Sequence, residues 1–383
     1  MAERTSFLLI LVLWGAGLGA AGQYAKISVI FDQLPSVYPQ AGASLGFVVS
    51  LVGLVGIVFG VVAGLIVARI RYRRALLWAL WVGAGMSLIQ AFLPPLFWML
   101  LTRLIEGLSH LAIVVAAPTL IAQLSAERHR GLTLTLWSTF FGVAFALLVA
   151  FGLPLVEARG ISALFLAHGI WMALFATILG VTLHPQHAPV ETELSLHALW
   201  WDHIAIYRSP DTAAPGAGWL FYTLCFLGIL TVLPPYIPVD WRVWVLGAMP
   251  LMSIFVSMTF GVVALRYISA VTLIQSGFLA SIGAMVWLLV VPGGPFACLA
   301  LAAALGLVQG ATFAAVPQLN HGAAKQAQAY GAMAQTGNLG NTLGTPILLA
   351  VLGMAGYAGL VWTVMALLLM GWAVHTLMHA QRS

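Results

Sequence analysis

Residues 102–123, TRLIEGLSHLAIVVAAPTLIAQ, are long enough to cross a bilayer and carry Arg103, Glu106 and His110 within two helical turns. At helical spacing, positions 103, 106, 107, 110, 114 and 117 share one face, so the three ionisable groups stand on a stripe completed by Gly107, Val114 and Ala117. Glu3, Asp32, Glu127, Glu157, Glu191, Glu193, Asp202, Asp211 and Asp240 fall in termini, loops or interfacial ends, which leaves Glu106 as the carboxylate well inside an apolar run. A charge at the centre of a bilayer costs about 2.5–3.5 kcal/mol on insertion scales, so an acid kept there marks a functional site facing protein or water. Two chemistries are open to it. A desolvated carboxyl can exchange a proton with one side of the membrane while Arg103 tunes it, or Arg103 and Glu106 can form an i,i+3 pair that neutralises itself and orders its helix. His110, roughly 10 Å deeper than Arg103 at ~1.5 Å per residue, is either a proton shuttle or a neutral ring bonded to a helix carbonyl.

The elements that must hold these groups are membrane helices. Of 383 residues, 62% are hydrophobic and 7% charged, against about 25% charged in soluble domains. Twelve apolar runs, near 6–31, 44–68, 75–93, 96–122, 131–155, 161–183, 217–238, 243–265, 269–291, 296–318, 328–352 and 356–378, have the length of transmembrane helices and twice that of barrel strands. The first run is too long for a cleavable signal peptide and is expected to remain as helix one. Cys225 and Cys298 fall inside helices seven and ten as small apolar side chains, so no disulfide or metal framework follows. With the N-terminus in the cytoplasm, Arg4, Arg69, Arg71, Arg73, Arg74, Arg128, Arg130, Arg208, Arg266, Lys325 and Arg382 are all cytoplasmic, whereas Arg159 and Arg242 face outside and Lys26 and Arg103 sit within helices. That bias places both termini inside.

The longest connection, 184–216, separates six crossings (1–183) from six (217–383). Within it Leu196, Leu199, Trp200, Ile204 and Tyr207 recur at helical spacing with Glu193, His197 and Asp202 between them, the pattern of a helix lying along the cytoplasmic interface; a disordered tether is the alternative. The two sets of six echo each other. FGVVAGLIVAR (59–69) in helix two and FGVVALR (260–266) in helix eight each set a glycine five positions before an arginine, Gly64 to Arg69 and Gly261 to Arg266. Helix four has Glu106-Gly107 followed by Pro118, and helix ten has Gln309-Gly310 followed by Pro317. Parallel six-helix repeats suit a transporter in which two bundles rock about a midplane site.

Over essentially its whole length the sequence resembles the major facilitator superfamily. In the family's loop between helices two and three, Gly64, Arg69, Arg73 and Arg74 match, while Ala68 replaces the usual aspartate and Arg71 the second glycine. Arg103 and Gly107 resemble the family's helix-four motif, and Arg130-Gly131 the pair that opens helix five. The resemblance implies an all-α membrane fold of two pseudo-symmetric six-helix bundles, with a cytoplasmic latch built around Gly64, Arg69, Arg73 and Arg266. The glycine-proline signature of drug–proton antiporters is missing from helix five, which offers only Gly142, Gly152 and a displaced Pro154.

The resemblance also implies that helices one, four, seven and ten line a central cavity. Helix one would then present Gly15, Gly19 and Gly22 as a groove ended by Lys26, with Gln23 and Tyr24 beside it. Lys26 and Arg103, at similar depth, would clamp an anionic substrate. Tyr222 and Gln309 are the expected ligand contacts of the second half, and Gln335, Asn338, Asn341, Thr342 and Thr345 serve either as interhelical glue or as substrate contacts. His168 reads as a satisfied packing residue. The expected protein is a monomeric secondary active transporter of the inner (cytoplasmic) membrane. It moves a small organic anion or zwitterion by alternating access, coupled to protons through Glu106 with His110, symport being favoured. An exporter of amphipathic or drug-like compounds and a non-transporting sensor or assembly factor are the alternatives. With no nucleotide-binding loop, metal-ligand cluster or nucleophile constellation, neither enzyme activity nor a cofactor or metal is expected, nor a nucleic-acid partner.

Overall fold

The computed structural model describes residues 4–41, 45–184 and 196–382, and the chain is helical along almost all of them. Spans one to six are Phe7–Ser28, Leu45–Arg69, Tyr72–Gln90, Leu96–Leu124, Glu127–Arg159 and Ile161–Thr182. Spans seven to ten are Pro210–Val232, Val239–Ala264, Ala270–Val290 and Pro295–Leu319. The last helix, Ala323–Ala380, runs for 58 residues and holds two spans joined at Gly356, whose φ of 63° and ψ of −164° are open to glycine and costly for other residues. Ten helices are long and apolar enough to cross a membrane on length and composition, with that double helix counted once. Tyr72–Gln90, which opens on Arg73 and Arg74, makes the total twelve among the described residues.

Local chemistry explains the ends and bends. Span seven starts at Pro210 rather than near 217, because Ser209 caps it through Thr212 N at 3.4 Å and proline suits the first helical position. Span five widens into a π turn over Leu148–Gly152, directly before Pro154, which has no N–H to continue the ladder. The chain between spans six and seven contains a helix, Leu196–Arg208; residues 185–195 of the expected linker, and the side chains of Leu196, Leu199 and Trp200, lie outside the described residues.

Two large apolar cores result. One joins spans one to six, span two through Val67, and the other joins spans seven to twelve. The first core also takes in Phe313, Val316, Tyr330 and Met333 from spans ten and eleven, so the halves are fused at the face where span one begins, termed the terminal face below. Small residues permit this approach: a Cβ on Gly64 of span two would lie 2.7 Å from the Ala327 carbonyl oxygen of span eleven, and one on Gly331 would lie 2.9 Å from the Gly64 Cα. Nearby, Gln335 Nε2 donates to the Ile57 carbonyl at 2.6 Å and Tyr207 donates to Gln335 Oε1 at 2.6 Å. The linker helix thereby lies on the seam, with Ile206 buried against Val61, Leu65 and Ala332. On the opposite seam, Gln309 Nε2 of span ten donates to the Ser138 carbonyl of span five at 2.6 Å.

Of the expected latch, Gly64 is at the seam. Arg73 instead donates to the carbonyls of Leu183 and Gly180 inside the first half, which satisfies the end of span six rather than bridging the halves. Arg266 is exposed, and the side chain of Arg69 lies outside the described residues. Gly64→Val should push spans two and eleven apart. The expected readout is a several-fold rise in alkylation, from the terminal face, of a Met333→Cys probe over the buried native Cys225 and Cys298; unchanged labelling would mean that the glycine contact does not hold this face closed.

Candidate functional site

Five helices converge on Glu106. Its Oε1 accepts from Lys26 Nζ of span one at 2.5 Å and lies 3.1 Å from Ser87 Oγ of span three. Its Oε2 accepts from Gln90 Nε2 of span three at 2.8 Å and from Arg103 Nη1 one turn away on its own helix. Arg103 Nε is spent on the Val48 carbonyl of span two at 2.7 Å. Lys26 Nζ donates also to Ser87 Oγ at 2.6 Å and approaches His168 Nδ1 of span six to 3.4 Å, with the Phe165 ring 5.3 Å away. Lys26, Arg103 and Glu106 are fully buried; Oε2 holds two donors, and Oε1 holds the Lys26 ammonium with the Ser87 hydroxyl close by. Such a site is stable only while the ions remain paired, since an orphaned buried charge costs several kcal/mol.

The glycines of span one exist for this packing. A Cβ on Gly22 would fall 2.8 Å from His168 Cδ2, on Gly19 2.4 Å from Met172 Sδ, and on Gly15 2.2 Å from Phe175 Cε1. The stripe expected to form a substrate groove is therefore filled by side chains of span six. Gln23 likewise turns away from the centre and donates to Ser109 Oγ at 3.0 Å.

The central cavity, ≈ 1090 Å³ with the open space at its mouth included, lies between the halves. Its polar groups include Tyr24, His110, Tyr222, Gln309, Asn338 and Asn341, with Ser138, Thr223 and Tyr330 also on its lining, and its walls are aromatic, with Trp219, Tyr222 and Phe226 stacked at 4.7 and 5.3 Å. Tyr24 donates to Asn338 Oδ1 across the halves at 2.5 Å. His110 Nδ1 lies 2.9 Å from the Ala20 carbonyl, which can only accept, so this nitrogen carries the hydrogen and the ring meets Tyr24 edge-on at 5.0 Å. Gln309 Oε1 accepts from Ser253 Oγ at 3.0 Å and Tyr222 OH at 3.3 Å. Among the described residues no arginine, lysine, aspartate or glutamate lines this cavity.

Four of the expected contacts, Tyr24, Tyr222, Gln309 and Asn338, thus share one chamber with His110, expected in proton coupling, while Lys26, Arg103 and Glu106 sit in a separate sealed knot. The two cations are not a free clamp: each is already turned onto Glu106. His168, read as packing, belongs to the knot, as do Ser87 and Gln90, which no charge census could find. Their i,i+3 spacing in an apolar run was the available signal. Among the described residues no group of three or more His, Cys, Asp or Glu could hold a metal ion.

Comparison with known proteins bears on the fold that holds these groups. The family model described as Major Facilitator Superfamily matches residues 12–345. The inner membrane transport protein YajR of Escherichia coli (strain K12) is 26% identical over 174 residues, a stretch covering 44% of this chain and 37% of that protein. Among solved structures, the E. coli fucose:proton symporter FucP superposes with a TM-score of 0.77 at 15% identity, covering 99% of this chain and 100% of that one. The human organic anion transporter MFSD10 (TETRAN) does so with a TM-score of 0.75 at 16% identity, covering 95% and 98%.

The charge count makes a stability test. Glu106→Gln strands two buried cations, at a cost of about 3–5 kcal/mol, whereas Arg103→Met or Lys26→Met leaves one balanced pair. Melting in detergent should therefore fall most for Glu106→Gln, and equal melting of the three variants would refute the ion-pair account.

Proposed function

The chain belongs to the Major Facilitator Superfamily, and we propose that it is a proton-coupled secondary transporter for a small molecule without net charge, held by hydrogen bonds on one edge and by aromatic rings on its face. One observation carries this reading. The central chamber is uncharged and aromatic, while the three ionised groups of the spans lie beside it in a closed cluster. The substrate site and the charge that responds to protons are then different objects, linked because span one and span four contribute to both. Tyr24 is two residues before Lys26, and His110 one turn beyond Glu106.

In this reading Tyr24, His110, Tyr222, Gln309 and Asn338 contact substrate, and the Glu106 cluster governs coupling. The chamber closes toward the terminal face through the shared core, so the described conformer opens the other way. With the cytoplasmic side assigned to that face by its arginines, it is an outward-facing state of a monomer in the inner membrane. Similarity of fold to a fucose:proton symporter fits a neutral ring substrate and coupling. A second reading keeps the organic anion. Two cations share one carboxylate, and Arg103 Nη2 has no partner, so an anion could complete the cluster once it opens; similarity of fold to an organic anion transporter fits this.

A thermal-shift panel of neutral ring polyols, zwitterions and carboxylates separates the two, because a ligand at 100 times its Kd stabilises by about 2.7 kcal/mol. Neutral polyols are expected to shift melting; a response to carboxylates alone would overturn the neutral-substrate reading in favour of the anion. For a hit, Gln309→Ala or Tyr222→Phe should raise the half-saturating concentration about tenfold, a loss of ~1.4 kcal/mol typical of one or two hydrogen bonds. In liposomes, an inward proton gradient should drive accumulation that a protonophore abolishes, and accumulation indifferent to the gradient would remove proton coupling.

A further inference from the structure

Within the cluster, the group that should carry the proton is open to argument, and the geometry speaks against the carboxylate. Glu106 accepts from Lys26 on Oε1 and from Gln90 and Arg103 on Oε2, and two of these three donors are cations that favour the ionised carboxylate. The excess lies on the other side: among the described residues, two cations face one carboxylate in a site closed to solvent. Closing the cluster is favourable when one cation gives up its proton, and arginine does not do so. Lysine can.

A route for that proton is in place. Lys26 Nζ donates to Ser87 Oγ at 2.6 Å, and Ser87 Oγ lies 2.7 Å from His168 Nδ1. His168 Nε2 lies 2.8 Å from the Gly19 carbonyl oxygen, an acceptor only, which fixes the hydrogen on Nε2 and leaves the Nδ1 lone pair aimed at Ser87. We propose that the transported proton is the ammonium proton of Lys26, relayed through the Ser87 hydroxyl to His168 Nδ1. This deepens, and rests on, the proton-coupled reading above.

The step balances. Lys26 loses one proton to Ser87 Oγ, Ser87 passes its own hydrogen to His168 Nδ1, and the result is a neutral amine and an imidazolium. The imidazolium keeps both its bonds, Nδ1–H to Ser87 and Nε2–H to Gly19, so no side chain rotates. The net charge of the cluster is unchanged by this transfer; only when water reaches His168 and takes the proton are Glu106 and Arg103 left as a balanced pair. The groups facing Lys26 are Glu106 and Arg103 from span four, Ser87 from span three and His168 from span six; only His168 among them can both take up and return a proton while Glu106 stays ionised.

Proteoliposomes carrying a pH-sensitive dye inside report protons moved per substrate. Lys26→Arg keeps the charge but holds its proton, and His168→Gln keeps a polar side chain without a titrating nitrogen. In each, substrate-driven proton entry should fall at least tenfold, and Ser87→Ala should give the same loss that Ser87→Thr restores. Wild-type proton entry in folded His168→Gln and Ser87→Ala would overturn the relay. Proton entry kept by Lys26→Arg but lost by Glu106→Asn would assign the proton to the carboxylate, leaving proton coupling intact. No substrate-driven proton entry in the unmodified protein would sink the coupling reading itself.

Discussion

The buried charges of the first half are organised by one mismatch, two cations against a single carboxylate. Ionised groups are held in a closed interior only when nearly every donor and acceptor is used, and spans one, two, three, four and six each supply a group to that end. Glu106 is the hub on which the others are hung. It sets the rotation of span four, pulls Lys26 inward from the end of span one, and leaves the neighbouring turn free to present Tyr24 and His110 to the chamber.

Small residues make that convergence possible. Gly19 and Gly22 admit Met172 and His168 against span one, and Gly83 admits the Gln23 amide and Ser109 hydroxyl, where a Cβ would lie 2.6 and 2.8 Å away. Between the halves the same device works on the backbone itself, Gly60 and Gly64 against Gln335, Ala327 and Gly331. Without a hydrophobic drive between helices in lipid, such close approach and a few interhelical hydrogen bonds carry the assembly. Among the described residues the second half has no fully buried ion pair and relies on amides: Gln309 alone ties spans ten, seven, eight and five.

The sequence made the fold readable because bilayer thickness imposes a length on every span, and the observed helices agree with the apolar runs to within a few residues except at span seven. Ser209 and Pro210 begin that helix on polar ground that hydropathy counts as loop. Within the site, the chemical types were legible and their partners were not. Glu106 stood out by its solitude, and the cavity contacts Tyr24, Tyr222, Gln309 and Asn338 by their spans. That Lys26 turns toward Glu106, and that Gly15, Gly19 and Gly22 receive span six, depends on which helices are neighbours, and spacing within one helix carries no record of that. His168 is the satisfied, buried ring its span suggested, but its partners Ser87 and Gly19 lie on other spans and were not legible from its own.

The linker helix deserves a last consequence. Because Ile206 and Tyr207 rest on span two and span eleven at once, this segment acts as a clasp across the seam rather than as slack between bundles. Parting the bundles on that side requires the clasp to lift from at least one of them. Any separation on that side therefore has to break, or carry along, the contacts that Ile206 and Tyr207 make with the two spans.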